Sequence, residues 1–445
     1  MNLTSIGMDS ALCPLDDRYA KKVSELRRYF SEPALIQARV YIELQYLAAL
    51  AQARIPDLPF GEEEVRTAEG MFTFFAMRDV ARIKEIEATV NHDVKAVEYW
   101  IREKLTDLSL PQIIPFVHFG LTSEDVTNLA YGVLISHAFR KCILYNLDKV
   151  SRVLHAFAEQ HSDVPLLGMT HGQPATPTTV HDQIMVFAWR LMTKENESRD
   201  IRMYGKFGGA VGNYSAHFIA YPEIDWKSFG QQFVESLGLL PIAYPKQINP
   251  HDDVGRLSHF MIEVSTILLD LARDMWLYIS RGVFSEKVKE GEVGSSTMPN
   301  KVNPLDWENA EGNLGIAAAL FAHFAQKLPV SRMQRDLSDS TVQRWLGVAF
   351  GAFFLAQTSI MKGLSKLQVN RQRIEAELRD NPDVHAEAIQ MVMRRFRYAD
   401  SYERLKEYTR GKKVTREELL ALVGTLDNVS LPAQRRLIER IEEHA

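Results

Sequence analysis

The sequence predicts an all-α protein of three domains, the middle one a bundle of long helices. Three observations carry that prediction. Apolar residues recur at spacings of three, four and seven over segments longer than an ordinary helix. No run of alternating strand-like residues interrupts them. The 445 residues, 46% hydrophobic and 24% charged, have ordinary globular composition and suffice for about three domains of roughly 150 residues.

Residues 1–112 are expected to form an N-terminal helical domain. Its clearest element is the amphipathic segment from Ile83 to Leu105, which Pro111 and Pro115 close. On it Val90, Val94, Val97 and Ile101 make the apolar face, so His92 points elsewhere. Residues 113–364 make the central bundle. From Ser123 to His161 the apolar positions Val126, Leu129, Val133, Ile143, Leu147, Val150, Leu154 and Phe157 fall on one face. A helix of that length spans on the order of 50 Å. Ser123 is placed to cap it, with Glu124 and Asp125 in the positive first turn. A second helix follows Pro177 through Val180, Ile184, Phe187 and Leu191. A third starts near Asp252 and carries Leu257, Met261, Val264, Leu268, Leu271 and Met275. Two more run from about Asp306 to Lys327 and from about Val342 to Leu364. After residue 364 the composition shifts: 30 of the last 81 residues are Asp, Glu, Lys or Arg, so 365–445 reads as a small domain of short, exposed helices.

Composition excludes several functions. Cys13 and Cys142 are the only cysteines and lie far apart, against a disulfide framework or a thiolate zinc site, and in keeping with a reducing, cytoplasmic compartment. The N-terminus has neither the basic start nor the apolar stretch of a signal peptide. The longest apolar run, Trp345 to Ala356, is shorter than the roughly 20 residues a membrane span needs. A net charge of −5 argues against general nucleic-acid binding. No HExxH, paired-histidine or Walker A spacing occurs, and GKFGGAVG at Gly205 to Gly212 lacks a preceding strand. No metal is therefore expected. His92–Asp93, His181–Asp182 and His251–Asp252 are sequence neighbours, which regular structure turns apart.

Polar segments marked by Gly and Pro break the bundle, and long loops in a compact core are usually functional. Met169 to Pro177 (MTHGQPATP) holds His171, a candidate acid or base near neutral pH, or else a surface histidine packed on proline. Gly291 to Pro304 (GEVGSSTMPNKVNP) joins two serines to Lys301 and Asn303, which suits a developing negative charge on a carboxylate. Its other reading is a solvated loop whose serines cap the next helix. Leu328 to Arg344 places Ser340 and Arg344 four apart on one helix face, with Arg335 nearby, a set that matches phosphate geometry or a run of ion pairs with Asp336 and Asp339.

GSSTMPNKVNP at Gly294 to Pro304 resembles the long signature of the fumarase/aspartase superfamily. NHDVKAVEY (Asn91 to Tyr99), THGQPATP (Thr170 to Pro177), GAVGNY (Gly209 to Tyr214) and KLPVSRMQRDLSDSTVQR (Lys327 to Arg344) resemble its adenylosuccinate lyase family in the bacterial long form. The resemblance runs from about Arg18 to about Arg410 and departs at Asn300, where that family often has His. It implies a three-domain fumarase/aspartase-like fold whose four copies pack into a 20-helix tetramer core, each active site sharing loops from three subunits. It implies β-elimination of fumarate from adenylosuccinate, giving AMP, and from succinyl-AICAR, giving AICAR. Ser295 resembles the general base, with Ser296 beside it as the alternative, and His171 resembles the general acid. Lys301 and Asn303 would neutralise the carbanion's aci-carboxylate, and His92 would position substrate. Arg18, Tyr19, Asn91, Asp93, Thr122, Ser123, Gln173, Gln247, Asn309, Arg335, Ser340, Thr341 and Arg344 match positions that bind nucleotide or succinyl groups. No cofactor is implied. Argininosuccinate lyase, fumarase and aspartase share the elimination, but none needs a phosphate clamp such as Arg335, Ser340 and Arg344. A non-catalytic structural role would predict loss of the chemistry residues, and they are present.

Overall fold

The computed structural model describes residues 11–53, 55–288, 298 and 301–442. The long periodicities are helices: Ser123–Ala138 and Tyr145–Gln160, Val180–Glu197, Asp252–Arg281, Leu305–Lys327 and Leu346–Lys366. The first two are joined by a π-helical turn, Phe139–Leu144, so the helix expected from Ser123 is continuous but locally wider. Fully buried Gln357 donates its amide to the Ile143 carbonyl in that turn at 3.0 Å, filling an acceptor the wider winding leaves open. The stretch Ser338–Lys366 is long and apolar enough to cross a membrane, but 72% of its apolar window is buried in the fold, as in a core helix.

The all-α expectation holds, with three two-stranded ribbons added among the described residues. Pro165–Thr170 pairs antiparallel with Gln173–Thr179, Phe284–Glu286 pairs antiparallel with Leu367–Val369, and Tyr204–Gly205 pairs parallel with Leu240–Pro241. The amphipathic segment from Ile83 to Leu105 is two helices, Met77–Val90 and Asp93–Asp107. Asn91 breaks it in a left-handed conformation at φ 52°.

The chain gathers into two compact units. One comprises Met1–Asp148, Thr193–Leu269 and Asn309–Thr358. Its helix Glu32–Gln52 begins where the Ser31 hydroxyl accepts from the Ala34 N–H, with proline at the next position but one, and buries Val40, Ile42, Leu44, Tyr46, Leu47 and Leu50. It packs on the helix Ser123–Ala138, which contributes Val126, Leu129 and Ala130. A cluster of rings, among them Tyr46, Phe207, His217, Trp226 and Phe233, fills the space beside them. Gly120 lies over the His217 ring at φ +68°, where an added Cβ would come within 2.5 Å of the imidazole.

At the centre of this unit Asp125 and Lys206 form an ion pair of 2.6 Å with both side chains fully buried. The same carboxylate accepts from the backbone N–H groups of Gly208 and Gly209, each at 3.0 Å, and of Thr122 at 2.8 Å. Asn128 completes the joint: its amide oxygen accepts the Lys206 N–H at 2.7 Å and its NH₂ donates to the Lys206 carbonyl at 2.9 Å. Thr122 is thus the N-cap, with Asp125 reaching back to it, and Ser123 is the first helical residue, one position on from the expected cap.

The second unit comprises Lys149–Met192, Asp270–Glu308 and Ser359–Ala445. Its last part has short helices of 9 to 12 residues, Arg371–Arg379, Ala386–Arg395, Ser401–Thr409, Arg416–Gly424 and Leu431–Glu442. They are charged outside, but Ile389, Met393, Leu419, Val423, Leu426 and Leu437 form a core among themselves. His181 and Asp182, expected to face apart, pair at 3.0 Å at the start of the helix, where the Thr179 hydroxyl also accepts the Asp182 N–H and the side chains are exposed enough to turn toward each other.

Lys206→Met removes one partner of a buried ion pair and leaves the other charge uncompensated. The expected loss is about 3–5 kcal/mol of unfolding free energy, read from urea unfolding against the unsubstituted protein.

Candidate active site

Three of the sequence-derived segments come together in the first unit. Arg335 donates from Nη1 to Glu124 at 2.9 Å, which places it beside Thr122 and Ser123. Glu124 is buried; that burial raises its pKa, and Arg335 opposes the rise. Arg344 lies 3.5 Å from Asp93, which brings the Asn91–Asp93 break to the same segment. The turn before the helix Ser338–Gln343 is fixed by Asp336, which accepts from the Ser338 hydroxyl and N–H and the Arg332 N–H. Those bonds, led by the Ser338 hydroxyl's, hold its carboxyl down at about 2. Ser340 is half-buried on that helix, whereas Thr341 and Arg344 are exposed.

Gln247 joins this group through the glycine-rich loop, donating to the Ala210 carbonyl at 2.8 Å, one residue after the Gly209 amide that binds Asp125. His92 is the N-cap of the helix Asp93–Asp107 rather than a residue on its face: its Nδ1 accepts from the Lys95 N–H at 3.1 Å. That bond leaves Nε2 as the ring's proton-bearing or donor atom. Arg18 and Tyr19 lie in the turns before Ser24, with the guanidinium 5.9 Å from the Tyr19 ring centre. Asn309 accepts from Asn313 through its carbonyl at 2.9 Å.

His171 belongs to the second unit and to a hairpin, not to an irregular loop. Thr170 pairs with Gln173, so His171 and Gly172 are the two turn residues, at φ 54° and 72°. Positive φ at both is the pattern of a type I′ turn, where Asn-Gly is usual. The histidine is held at the exposed tip in a conformation few side chains adopt. The hairpin is anchored at Thr176, whose hydroxyl donates to Glu387. Gln173 folds back, its amide donating to the Gly172 carbonyl at 3.1 Å. In the same unit Lys301 is exposed and its N–H donates to the Met298 carbonyl, while the Asn303 carbonyl accepts from Leu305 at the start of the next helix. Asp306 in that first turn is held by Lys362 at 3.3 Å and Lys366 at 3.0 Å. Ser295, Ser296 and Asn300 lie outside the described residues.

Several contributors were not legible from spacing. Glu124, His251 and Asp339 each place one potential ligand atom within 4.8 Å of the others. Arg335 on Glu124 supplies the balancing charge there, and buried His251 is shared between Asp339 at 3.6 Å and Gln343 at 3.2 Å. Arg39, 5% exposed, reaches Asp93 at 2.9 Å. His118, just before Thr122, has Nδ1 2.5 Å from Glu43 and Nε2 3.7 Å from Glu98. Burial acts to lower its pKa, but Glu43, and then Glu98 and Asp125, raise it above the ordinary value.

A lyase family profile matches residues 17–318, and the adenylosuccinate lyase C-terminal profile matches 331–443. The chain is 45% identical to an adenylosuccinate lyase of Legionella pneumophila (strain Corby), over 98% of this chain and 95% of that protein. It is 44% identical to the adenylosuccinate lyase of Escherichia coli (strain K12) over the same shares. The Dictyostelium discoideum adenylosuccinate lyase is 43% identical over 95% of this chain and 93% of its own. Among solved structures, a fumarate lyase from Mesorhizobium sp. BNC1 shares the fold with a TM-score of 0.74 at 18% identity, over 94% of each chain. The 3-carboxy-cis,cis-muconate lactonizing enzyme of Pseudomonas putida gives 0.71 at 21%, over 95% of this chain and 97% of its own.

His118 makes stability depend on pH with a definite sign. A histidine whose folded pKa is raised contributes fully below the unfolded value of 6.5 and loses that contribution as pH rises through the folded value. The urea midpoint is expected to fall across that window, and His118→Gln should flatten the fall. An unchanged slope in the variant would assign the pH dependence elsewhere.

Proposed function

This chain belongs to the adenylosuccinate lyase family, and from that membership we infer that it catalyses β-elimination of fumarate from adenylosuccinate, giving AMP, and from succinyl-AICAR, giving AICAR. It is a carbon–nitrogen lyase of purine biosynthesis. The observation that carries this reading is identity of about 45% to adenylosuccinate lyases over nearly the whole chain, terminal segment included.

In the mechanism we propose, Ser295 removes the Cβ proton, the electron pair is held as an aci-carboxylate, the C–N bond breaks, and His171 protonates the departing nitrogen. Lys301 and Asn303 neutralise the carboxylate charge; each such donor is worth roughly 2.7–4 kcal/mol. What supports His171 is its exposed place at a two-residue turn anchored from below. Support for the nucleotide phosphate lies in Arg335, Ser340 and Arg344 on one short segment beside Thr122 and Ser123. One proton goes to Ser295, one comes from His171, and the electron pairs shift only within the substrate, so the reaction calls for no redox cofactor.

The working form is read as a cytoplasmic homotetramer whose active sites are shared between subunits, with domains at 1–112, 113–364 and 365–445. Exposed Val186, Trp189 and Met192 on one long helix, Trp276 and Leu277 on another and Ile316 on a third support that assembly, since apolar side chains of this size mark interaction faces.

The purified protein is expected to release fumarate from adenylosuccinate with chelator present; turnover of argininosuccinate or aspartate instead would overturn the substrate assignment. Ser295→Ala and His171→Ala should each lower kcat by about 10² or more; near-normal turnover in the serine variant would move the base to Ser296. Tetramers mixed from the two inactive variants should regain activity if sites are shared, and no recovery after verified subunit exchange would argue for self-contained sites.

A further inference from the structure

One carboxylate oxygen of Asp93 faces two guanidinium groups. Arg39 Nη2 is 2.9 Å from Oδ2, and Arg344 Nη2 is 3.5 Å from the same atom. The other oxygen accepts the N–H of Val94 at 2.9 Å. The two arginines differ in what surrounds them. Arg39 projects from the helix Glu32–Gln52, its side chain is 6% exposed, and its Nε donates to the Thr127 hydroxyl at 3.2 Å. The Arg344 side chain is 52% exposed. Its distance to Asp93 is the outer limit of a hydrogen bond.

That asymmetry decides which arginine keeps the carboxylate. Separating Arg39 from Asp93 would strand a buried cation, whereas Arg344 can exchange Asp93 for water or another anion at little cost, because solvent screens it. With Arg39 in place, Asp93 is already neutralised and holds Arg344 weakly. With Arg39 absent, the full negative charge of Asp93 would fall on Arg344 and compete with any anion that arginine is meant to bind.

We propose that Arg39 is a positioning residue for substrate binding: by keeping Asp93 occupied, it leaves the Arg344 guanidinium free to engage a phosphate group of the substrate. This rests on the reading of Arg344 as a phosphate ligand. It also gives Asp93 a definite role, as the shared counter-ion behind Arg344. Arg39 acts only through Asp93 and touches no reacting atom.

The test compares Arg39→Gln, Asp93→Asn and the double variant in the full-length enzyme. It measures KM and kcat for adenylosuccinate, and inhibition constants for AMP and for inorganic phosphate. Arg39→Gln is expected to raise KM and the AMP inhibition constant together by about tenfold, with kcat within about twofold. The double variant should bind inorganic phosphate more tightly than Arg39→Gln does, because an uncharged residue 93 no longer captures Arg344. Asp93→Asn alone should bind inorganic phosphate as tightly as the unsubstituted enzyme or tighter, and this arm decides the matter if Arg39→Gln does not fold. Unsubstituted KM in Arg39→Gln, no tighter phosphate binding in the double variant than in Arg39→Gln, or weaker phosphate binding in Asp93→Asn would each overturn the proposal. Failure of the unsubstituted enzyme to turn over adenylosuccinate would instead overturn the functional reading, and AMP titration by calorimetry would still report on Arg39.

Discussion

The carboxylate of Asp125 is fully buried, and the first unit is arranged around that fact. A buried anion is tolerated only when its lone pairs are filled. Here Lys206 and Gly208 take one oxygen, and Gly209 and Thr122 the other. The burial that this requires depresses the pKa of Lys206, and Asp125 opposes the depression. Four donors from two chain segments leave the carboxylate no second geometry. They fix the end of the helix at Thr122, the glycine-rich loop, and through Ala210 the side chain of Gln247. Glu124, one residue away, takes Arg335. Two adjacent acidic residues thus hold a structural cation and a candidate ligand-binding cation apart.

This joint also marks where sequence reading stops. Periodicity found the long helices because a buried stripe must repeat every three or four residues. It missed the π turn at Phe139–Leu144, since one widened turn shifts the stripe by less than its own width. Asp125 and Lys206 are 81 positions apart, and Arg335 and Glu124 are 211, so no local pattern could join them. Asp125 in a helical first turn reads equally well as a solvated dipole partner. A lysine set among glycines and a phenylalanine is the local signal at Lys206, and without a Walker A pattern it names no partner.

The hairpin that carries His171 was hidden for a different reason. Pro174 and Pro177 within THGQPATP argue for a loop when strands are taken to need both neighbours. A two-stranded ribbon has only edges, so proline costs it little, and His-Gly supplied the positive φ that Asn-Gly normally signals. His92 fails similarly: as residue types, NHD continues a helical pattern, but Asn91 accepts a left-handed conformation and turns the next residue into a cap. In each case the chemistry-bearing histidine sits where the backbone departs from regular structure.

A chain with net charge −5 must still present cations to an anionic substrate. If Arg335 and Arg344 meet the substrate as proposed, their ion pairs reconcile the two demands. Each arginine has a carboxylate in reach, so neither is a bare positive charge. An incoming anion must therefore offer more than the carboxylate it replaces. A monoanionic carboxylate offers the same charge and the same planar oxygens, so exchange gains nothing. A phosphate at neutral pH brings up to a second negative charge and a third oxygen. It can take a guanidinium and the Ser340 hydroxyl together. Prior pairing thus sets a threshold that favours dianions, and it does so most sharply where the resident carboxylate, as at Asp93, has a second cation to fall back on.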